Sequence, residues 1–176
     1  MTTTSIQFRP LAPTDAPLLS EVALRAYRQH YLHLWHDGGA WYINRCFTVD
    51  EMRAEMADPN SAWFLVEEAG EPVGFIKLNI DKPLEGDETQ NALELERIYL
   101  VQEATGRGVG RAALEFIFDF ARQRGKTLVW LKAMDSSTDA IAVYTRLGFA
   151  LCGTHQLDFE AMKREFWGMV VMKKPV

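Results

Sequence analysis

The clearest pattern in the chain lies between Val109 and Ala121, where Val109, Ala112, Ala113, Phe116, Ile117, Phe120 and Ala121 recur at helical spacing. Leu114 and Phe118 widen the apolar face, and Gly125 supplies the stop. A second helix is predicted from a cap at Thr14 or Asp15 through Leu18, Leu19, Val22 and Ala26, fading near Tyr31 to Trp35. Tyr31 to Phe47 is rich in aromatics and has no clean period. Short helices are predicted over Asp50–Met56 and Thr138–Leu147, the latter ended by Gly148. Strands are predicted at Ser5–Arg9, Ala62–Val66, Val73–Ile80, Leu93–Val101, Lys126–Ala133, Phe149–His155 and Phe166–Met172. The order β-α-α-β-β-β-α-β-α-β-β implies an α/β fold, a mixed sheet with helices on both faces.

Length narrows the picture. A chain of 176 residues, 48% of them apolar, is expected to form one domain spanning 1–176 and to fold without staples. Cys46 and Cys152 lie far apart and outside any C-x-x-C pair, so neither a disulfide scaffold nor a structural zinc site is expected. A net charge of -5 argues against nucleic acid as a partner. Met1–Pro10 lacks the apolar run of a secretory leader, and no run is long enough to span a membrane. The expectation is a cytoplasmic protein with no membrane partner.

Chemistry concentrates in Tyr99-Leu100-Val101-Gln102-Glu103-Ala104-Thr105-Gly106-Arg107-Gly108-Val109-Gly110-Arg111. A strand ends, glycines occupy every second position, and the amphipathic helix begins at once. Glycines let backbone N–H groups turn toward one point, and the helix N-terminus adds about half a positive charge there. Arg107 and Arg111 bring full charges to the same mouth. The pattern reads as a diphosphate cradle, or as a turn that only allows close helix–sheet packing. A Walker A loop would need Lys-Ser/Thr after the glycines, where this chain has Arg111-Ala112. The dinucleotide fingerprint fails on spacing and on position in the chain.

The segment resembles the coenzyme A pyrophosphate loop of the GNAT superfamily of N-acetyltransferases, whose pattern is Arg/Gln-x-x-Gly-x-Gly/Ala. Leu95-Glu96-Arg97-Ile98-Tyr99-Leu100 is similar to that family's splayed fourth strand, and Leu128-Val129-Trp130-Leu131 to its fifth. Ala140-Ile141-Ala142-Val143-Tyr144-Thr145-Arg146-Leu147-Gly148-Phe149 resembles its Ala-Ile-x-x-Tyr-x-x-x-Gly-Phe helix end. The likeness covers about Leu93 to Thr154. Two positions depart from it: Thr105 stands where Arg or Gln is usual, and Ser137 where the fifth strand's Asn is common.

The resemblance implies a GNAT-like mixed, twisted, mostly antiparallel sheet with a splayed central parallel pair. It implies direct acetyl transfer from acetyl-CoA to the primary amine of a small molecule, polyamine or peptide, without a metal. It implies cofactor contacts at Ile98, Tyr99, Leu100, Thr105, Gly106, Arg107, Gly108, Val109, Gly110, Arg111, Ser137 and Tyr144. It assigns Tyr144 as the acid toward the coenzyme thiolate. Deprotonating an alkylamine of pKa ~10.4 at pH 7 costs roughly 4 to 5 kcal/mol, so a carboxylate is wanted nearby. Glu94 and Glu96, on one strand face, are the candidate bases. Both also read as decoration of a solvent-facing edge, and Tyr144 as a packing residue.

Acids dominate from Asp81 to Glu103, seven against two bases, whereas Thr105 to Lys132 carries six bases and two acids. The basic half suits an anionic cofactor and the acidic half a cationic acceptor. The acceptor wall is sought at Tyr31, His33, Trp35 and Glu94, with His36, Asp37, Trp41 and Tyr42 nearby, where aromatics hold an alkylammonium by cation–π contact or merely cover the core edge. Acidic residues before the central strand and the stretch from Trp130 to His155 also look like the spermine/spermidine acetyltransferase branch. The alternative function is a non-catalytic coenzyme A-binding sensor or interaction module. A homodimer through the closing strands is compatible with either.

Overall fold

A computed structural model describes residues 4–176; the first three residues of the Met1–Pro10 stretch lie outside it. Seven strands, β1 (Ile6–Pro10), β2 (Ser61–Glu68), β3 (Glu71–Asn79), β4 (Ala92–Leu100), β5 (Leu128–Met134), β6 (Ala150–Gln156) and β7 (Gly168–Pro175), form one sheet in the order β1-β2-β3-β4-β5-β7-β6. Every pairing is antiparallel except β4 with β5. Five helices accompany it: α1 (Ala16–His30), α2 (Ala40–Cys46), α3 (Val49–Met56), α4 (Val109–Gln123) and α5 (Thr138–Arg146).

The two sheet faces hold two cores. On one, Val109, Ala113, Leu114, Ile117 and Ala121 of α4 pack against Ile76, Leu78, Leu93, Leu95, Val129 and Leu131. Burial of each large aliphatic side chain contributes roughly 1.5–3 kcal/mol. On the other, Leu19, Ala23 and Tyr27 of α1 and Met52 of α3 close over Phe47, Trp63 and Phe75. Gly74 is required between β3 and β4, because a Cβ there would press into the Tyr99 carbonyl oxygen and the Leu100 side chain.

Two irregularities in the sheet create the site. Lys77 pairs with Arg97 but Leu78 with Leu95, so Glu96 is a bulge with no partner of its own. The parallel ladder covers only Ala92–Leu95 against Leu128–Leu131. Beyond it β4 stays with β3 while Lys132–Met134 stays with β7, and the two central strands part.

The expected elements form with small boundary shifts, and one helix is added. α2 escapes the periodicity because only Cys46 among its residues is buried. It is started instead by Gly39 at φ 95° and by the Asp37 carboxylate, which accepts from the N–H groups of Gly39 (3.0 Å) and Trp41 (2.8 Å). Asp15 does precede α1, but its carboxylate accepts from Ala12 N–H (2.9 Å) rather than from the helix. Phe166 belongs to a 3-10 turn, Arg164–Phe166, and the last strand starts at Gly168. Among the described residues, no helix is long and apolar enough to cross a membrane.

Candidate active site

Where β4 and β5 part, a cleft of about 370 Å³ opens. Its walls come from Tyr27 of α1, the following Tyr31 and Trp35, Tyr42 of α2, Leu95–Tyr99 of β4, Leu131–Met134 of β5, and Ser137 and Tyr144 at α5. Leu157, Phe159 and Met162, from the connection between β6 and β7, complete it. That connection is pinned by a β-bridge between Trp35 and Met162 and by His36 N–H on the Ala161 carbonyl (2.9 Å).

Four charged side chains make the floor. Lys77 Nζ lies 3.0 Å from Glu55 and 2.8 Å from Glu96. Arg97 donates through Nη1 and Nη2 to both oxygens of Glu55, and its Nε stands 3.4 Å from Glu96 as an ion pair. Asn79 adds a bond to Glu96 at 3.1 Å. The bulge turns consecutive residues, Glu96 and Arg97, into the same ion-pair network. Burial works to raise the Glu96 carboxyl, but Arg97, Lys77 and Asn79 outweigh it and hold the group below the ordinary carboxylate range. Burial with repulsion from Glu96 pushes Glu94 the other way, up. Glu94 stands half-buried outside the cleft lining, near Lys82 and Lys132.

Tyrosines crowd the mouth. Tyr27, Tyr31 and Tyr99 are in mutual ring contact at 5.1–6.0 Å, and Trp35 Nε1 donates to Tyr27 Oη at 2.7 Å. Burial raises the phenols of Tyr144 and Tyr99, so both keep their protons at neutral pH.

At the end of β4 the chain passes through a 3-10 turn, Gln102–Ala104, into the glycine segment. Gly106 and Gly108 are left-handed, at φ 73° and 81°, and a Cβ at either would stand in open space. Gly108 caps α4, and Ala112 N–H is bonded to Gly108 O, so the N–H groups of Val109, Gly110 and Arg111 have no partner within the helix. These free N–H groups, in open space at the positive end of a 15-residue helix, are ones that could hold a diphosphate. Gly110 instead faces Leu100, where a Cβ would make ordinary contact at 3.7 Å. Thr105 Oγ1 donates to the Gln102 carbonyl (2.7 Å), closing the turn. The two arginines are engaged elsewhere: Arg107 with buried Glu68 (2.9 Å) and Arg111 with Glu115 (3.1 Å).

The cleft thus gathers Tyr31, Trp35, Glu96, Ile98, Tyr99, Ser137 and Tyr144 of the residues sought from sequence. His33 lies outside the lining, edge-on to the Phe166 ring at 5.3 Å. Part of the charge asymmetry of the chain is taken up in pairs: Asp81 with Lys126, Asp87 with Lys173, Glu103 with Arg25, and Arg122 with Asp119. Glu55, Lys77 and Tyr27 line the cleft without a sequence signal, as does Phe159. His30, also unheralded, donates from Nε2 to the Leu100 carbonyl at 3.0 Å, tying α1 to the strand that enters the glycine segment.

The sequence matches the Acetyltransferase (GNAT) family over residues 21–149. It is 28% identical to an uncharacterized N-acetyltransferase of Lactobacillus delbrueckii subsp. lactis over 66% of this chain and 67% of that protein. It is 29% identical to the streptothricin acetyltransferase of Streptomyces lavendulae over 69% of this chain and 62% of that one. The chain therefore spans about two thirds or less of these relatives. The crystal structure of the PaiA N-acetyltransferase of Thermoplasma acidophilum with coenzyme A shares the fold, at a TM-score of 0.74 and 20% identity, covering 98% of this chain and 99% of that one. The glycine turn at a helix N-terminus, the parted strands and the family match agree, and this chain belongs to the Acetyltransferase (GNAT) family.

Proposed function

We propose that the chain acetylates the primary amine of a small molecule or peptide, with donor and acceptor bound together. One observation carries this reading: β4, parted from β5, lines the tyrosine-walled cleft with Leu95–Tyr99 and then leads directly into the glycine turn. A single strand thus serves both a diphosphate cradle and a cleft with room for an amine. The name of the Streptomyces lavendulae relative supports a small-molecule acceptor.

Acetyl-CoA supplies an activated acetyl group as its thioester. The N–H groups of Val109, Gly110 and Arg111, with the left-handed Gly106 and Gly108, hold the diphosphate. Free backbone groups of β4 near Ile98, and Ser137, receive the pantetheine arm. An ammonium entering the cleft leaves water for aromatic walls beside Lys77, Arg97 and Lys132, which favours its neutral, nucleophilic form. Glu94, with its raised affinity for protons, takes the released proton through water. Glu96, bonded to Asn79 and ion-paired with Lys77 and Arg97, anchors the floor. Tyr144 keeps its phenolic proton facing the cleft, ready for the departing sulfur.

Thiol release from acetyl-CoA across an amine panel, with mass spectrometry of the products, tests this reading. Amine-dependent release with intersecting initial-rate plots is expected. Saturable binding of coenzyme A without release by any amine would leave the chain as a binding module.

A further inference from the structure

We propose that the acceptor is a monoamine, one primary amine on a body without a second cationic group, and that polyamines are poor substrates. This deepens the functional reading above and rests on acceptor binding in the same cleft.

The carboxylate oxygens on the cleft wall are already occupied. Glu55 Oε1 accepts from Arg97 Nη2 (3.2 Å), and its Oε2 from Lys77 Nζ (3.0 Å) and Arg97 Nη1 (3.1 Å). Glu96 Oε1 accepts from Asn79 Nδ2 (3.1 Å), and its Oε2 is ion-paired with Lys77 Nζ (2.8 Å) and Arg97 Nε (3.4 Å). Among the described residues, the cleft lining carries three cations, Lys77, Arg97 and Lys132, against these two acids. Glu94 lies outside the lining and faces Lys82 and Lys132. Asp37 holds the start of α2.

One ammonium can rest against the aromatic wall that Tyr31, Trp35 and Tyr42 contribute until it loses its proton. A second finds no free carboxylate, and must either displace Lys77 or Arg97 from their partners or stand against an excess of positive charge. Like charges brought together in this way reject a ligand strongly. The acidic run from Asp81 to Glu103 provides no compensation inside the cleft, since Asp81, Asp87, Glu96 and Glu103 are each paired within the chain, and Glu85, Glu88 and Glu94 lie outside the lining.

Length-matched acceptors decide the matter: 1-aminobutane against 1,4-diaminobutane, and 1-aminooctane against spermidine. The monoamine of each pair should show a kcat/KM higher by at least about tenfold, the margin narrowing as salt is added. Equal or better use of the diamines overturns the proposal while leaving amine acetylation intact. Calorimetric titration of the same amines into protein saturated with coenzyme A ranks them independently of turnover. Tighter binding of the diamines overturns the proposal even without acetylation, and binding of neither overturns it together with the functional reading. In Lys77→Gln, shown folded by circular dichroism, Glu55 and Glu96 each regain acceptor capacity and the monoamine-to-diamine ratio should fall. An unchanged ratio in that variant also overturns the proposal.

Discussion

Arg97 grips both oxygens of Glu55, Nη1 to Oε2 at 3.1 Å and Nη2 to Oε1 at 3.2 Å, across 42 residues of sequence. The guanidinium is nearly enclosed, its side chain 10% exposed, between the rings of Phe47 and Trp63 at 5.9 and 6.0 Å. The pair joins α3 to β4 and thereby fixes the floor of the cleft to the helical layer above it. Such a bidentate geometry holds direction as well as charge.

Glu55→Gln removes the carboxylate from two cations at once. With Glu55 partly exposed, the loss should be about 1–3 kcal/mol, short of the full cost of an uncompensated buried charge. Urea denaturation should show a lower midpoint with an unchanged slope.

Gly108→Ala places a Cβ on a left-handed residue and strains the cap of α4 by about 1 kcal/mol. The added methyl also enters the diphosphate cradle, so the KM for acetyl-CoA should rise severalfold more than kcat falls. Gly110→Ala is the control. Its Cβ meets only Leu100, at 3.7 Å, and a helix gains about 0.8–1.0 kcal/mol in propensity from the exchange. Thermal melts and acetyl-CoA titrations of both variants check the contrast.

Tyr144→Phe removes the phenolic proton and leaves the ring against Phe149, now at 5.7 Å between centroids. Turnover should fall by about 100-fold or more, with the KM for acetyl-CoA moving less than about twofold. Unchanged turnover would return Tyr144 to a packing role.

Glu94 and Glu96 answer pH in opposite senses. The Glu94 carboxyl binds its proton more tightly folded than unfolded, so its ionisation opposes folding above its folded pKa, and that cost disappears as pH falls through it. Glu94→Gln should therefore be more stable than the parent at neutral pH. If Glu94 receives the amine proton, the acid limb of kcat/KM lies above the ordinary glutamate range, and it flattens in this variant. The Glu96 carboxyl is shifted down, so its stabilisation is present above the unfolded pKa and is lost as pH falls through the folded one. Glu96→Gln should lower the melting temperature at neutral pH and spare the acid limb.

The helix α4 and the glycine turn were legible because their cause is local. Residues Val109 to Ala121 carry the apolar spacing that buries one face, and the left-handed glycines announce the turn themselves. The parted strands were reached by resemblance alone, since no spacing within β4 or β5 tells where their ladder stops. The floor of the cleft was illegible for another reason. Glu55 and Arg97 meet only after α3 folds onto the sheet, and the Glu96 bulge depends on the register of β3, a strand 17 residues away at Asn79. Charge counting along the chain misled because ion pairs such as Lys173 with Asp87 form over 86 residues.

The cleft's roof, Leu157 to Met162, lies beyond residue 149, where the family match ends. The glycine segment and this roof are therefore separate tracts of the chain, fastened among the described residues by the Trp35–Met162 β-bridge and by His36 N–H on the Ala161 carbonyl. Substitutions in this roof can therefore reshape the cleft while leaving the glycine turn at the start of α4 untouched.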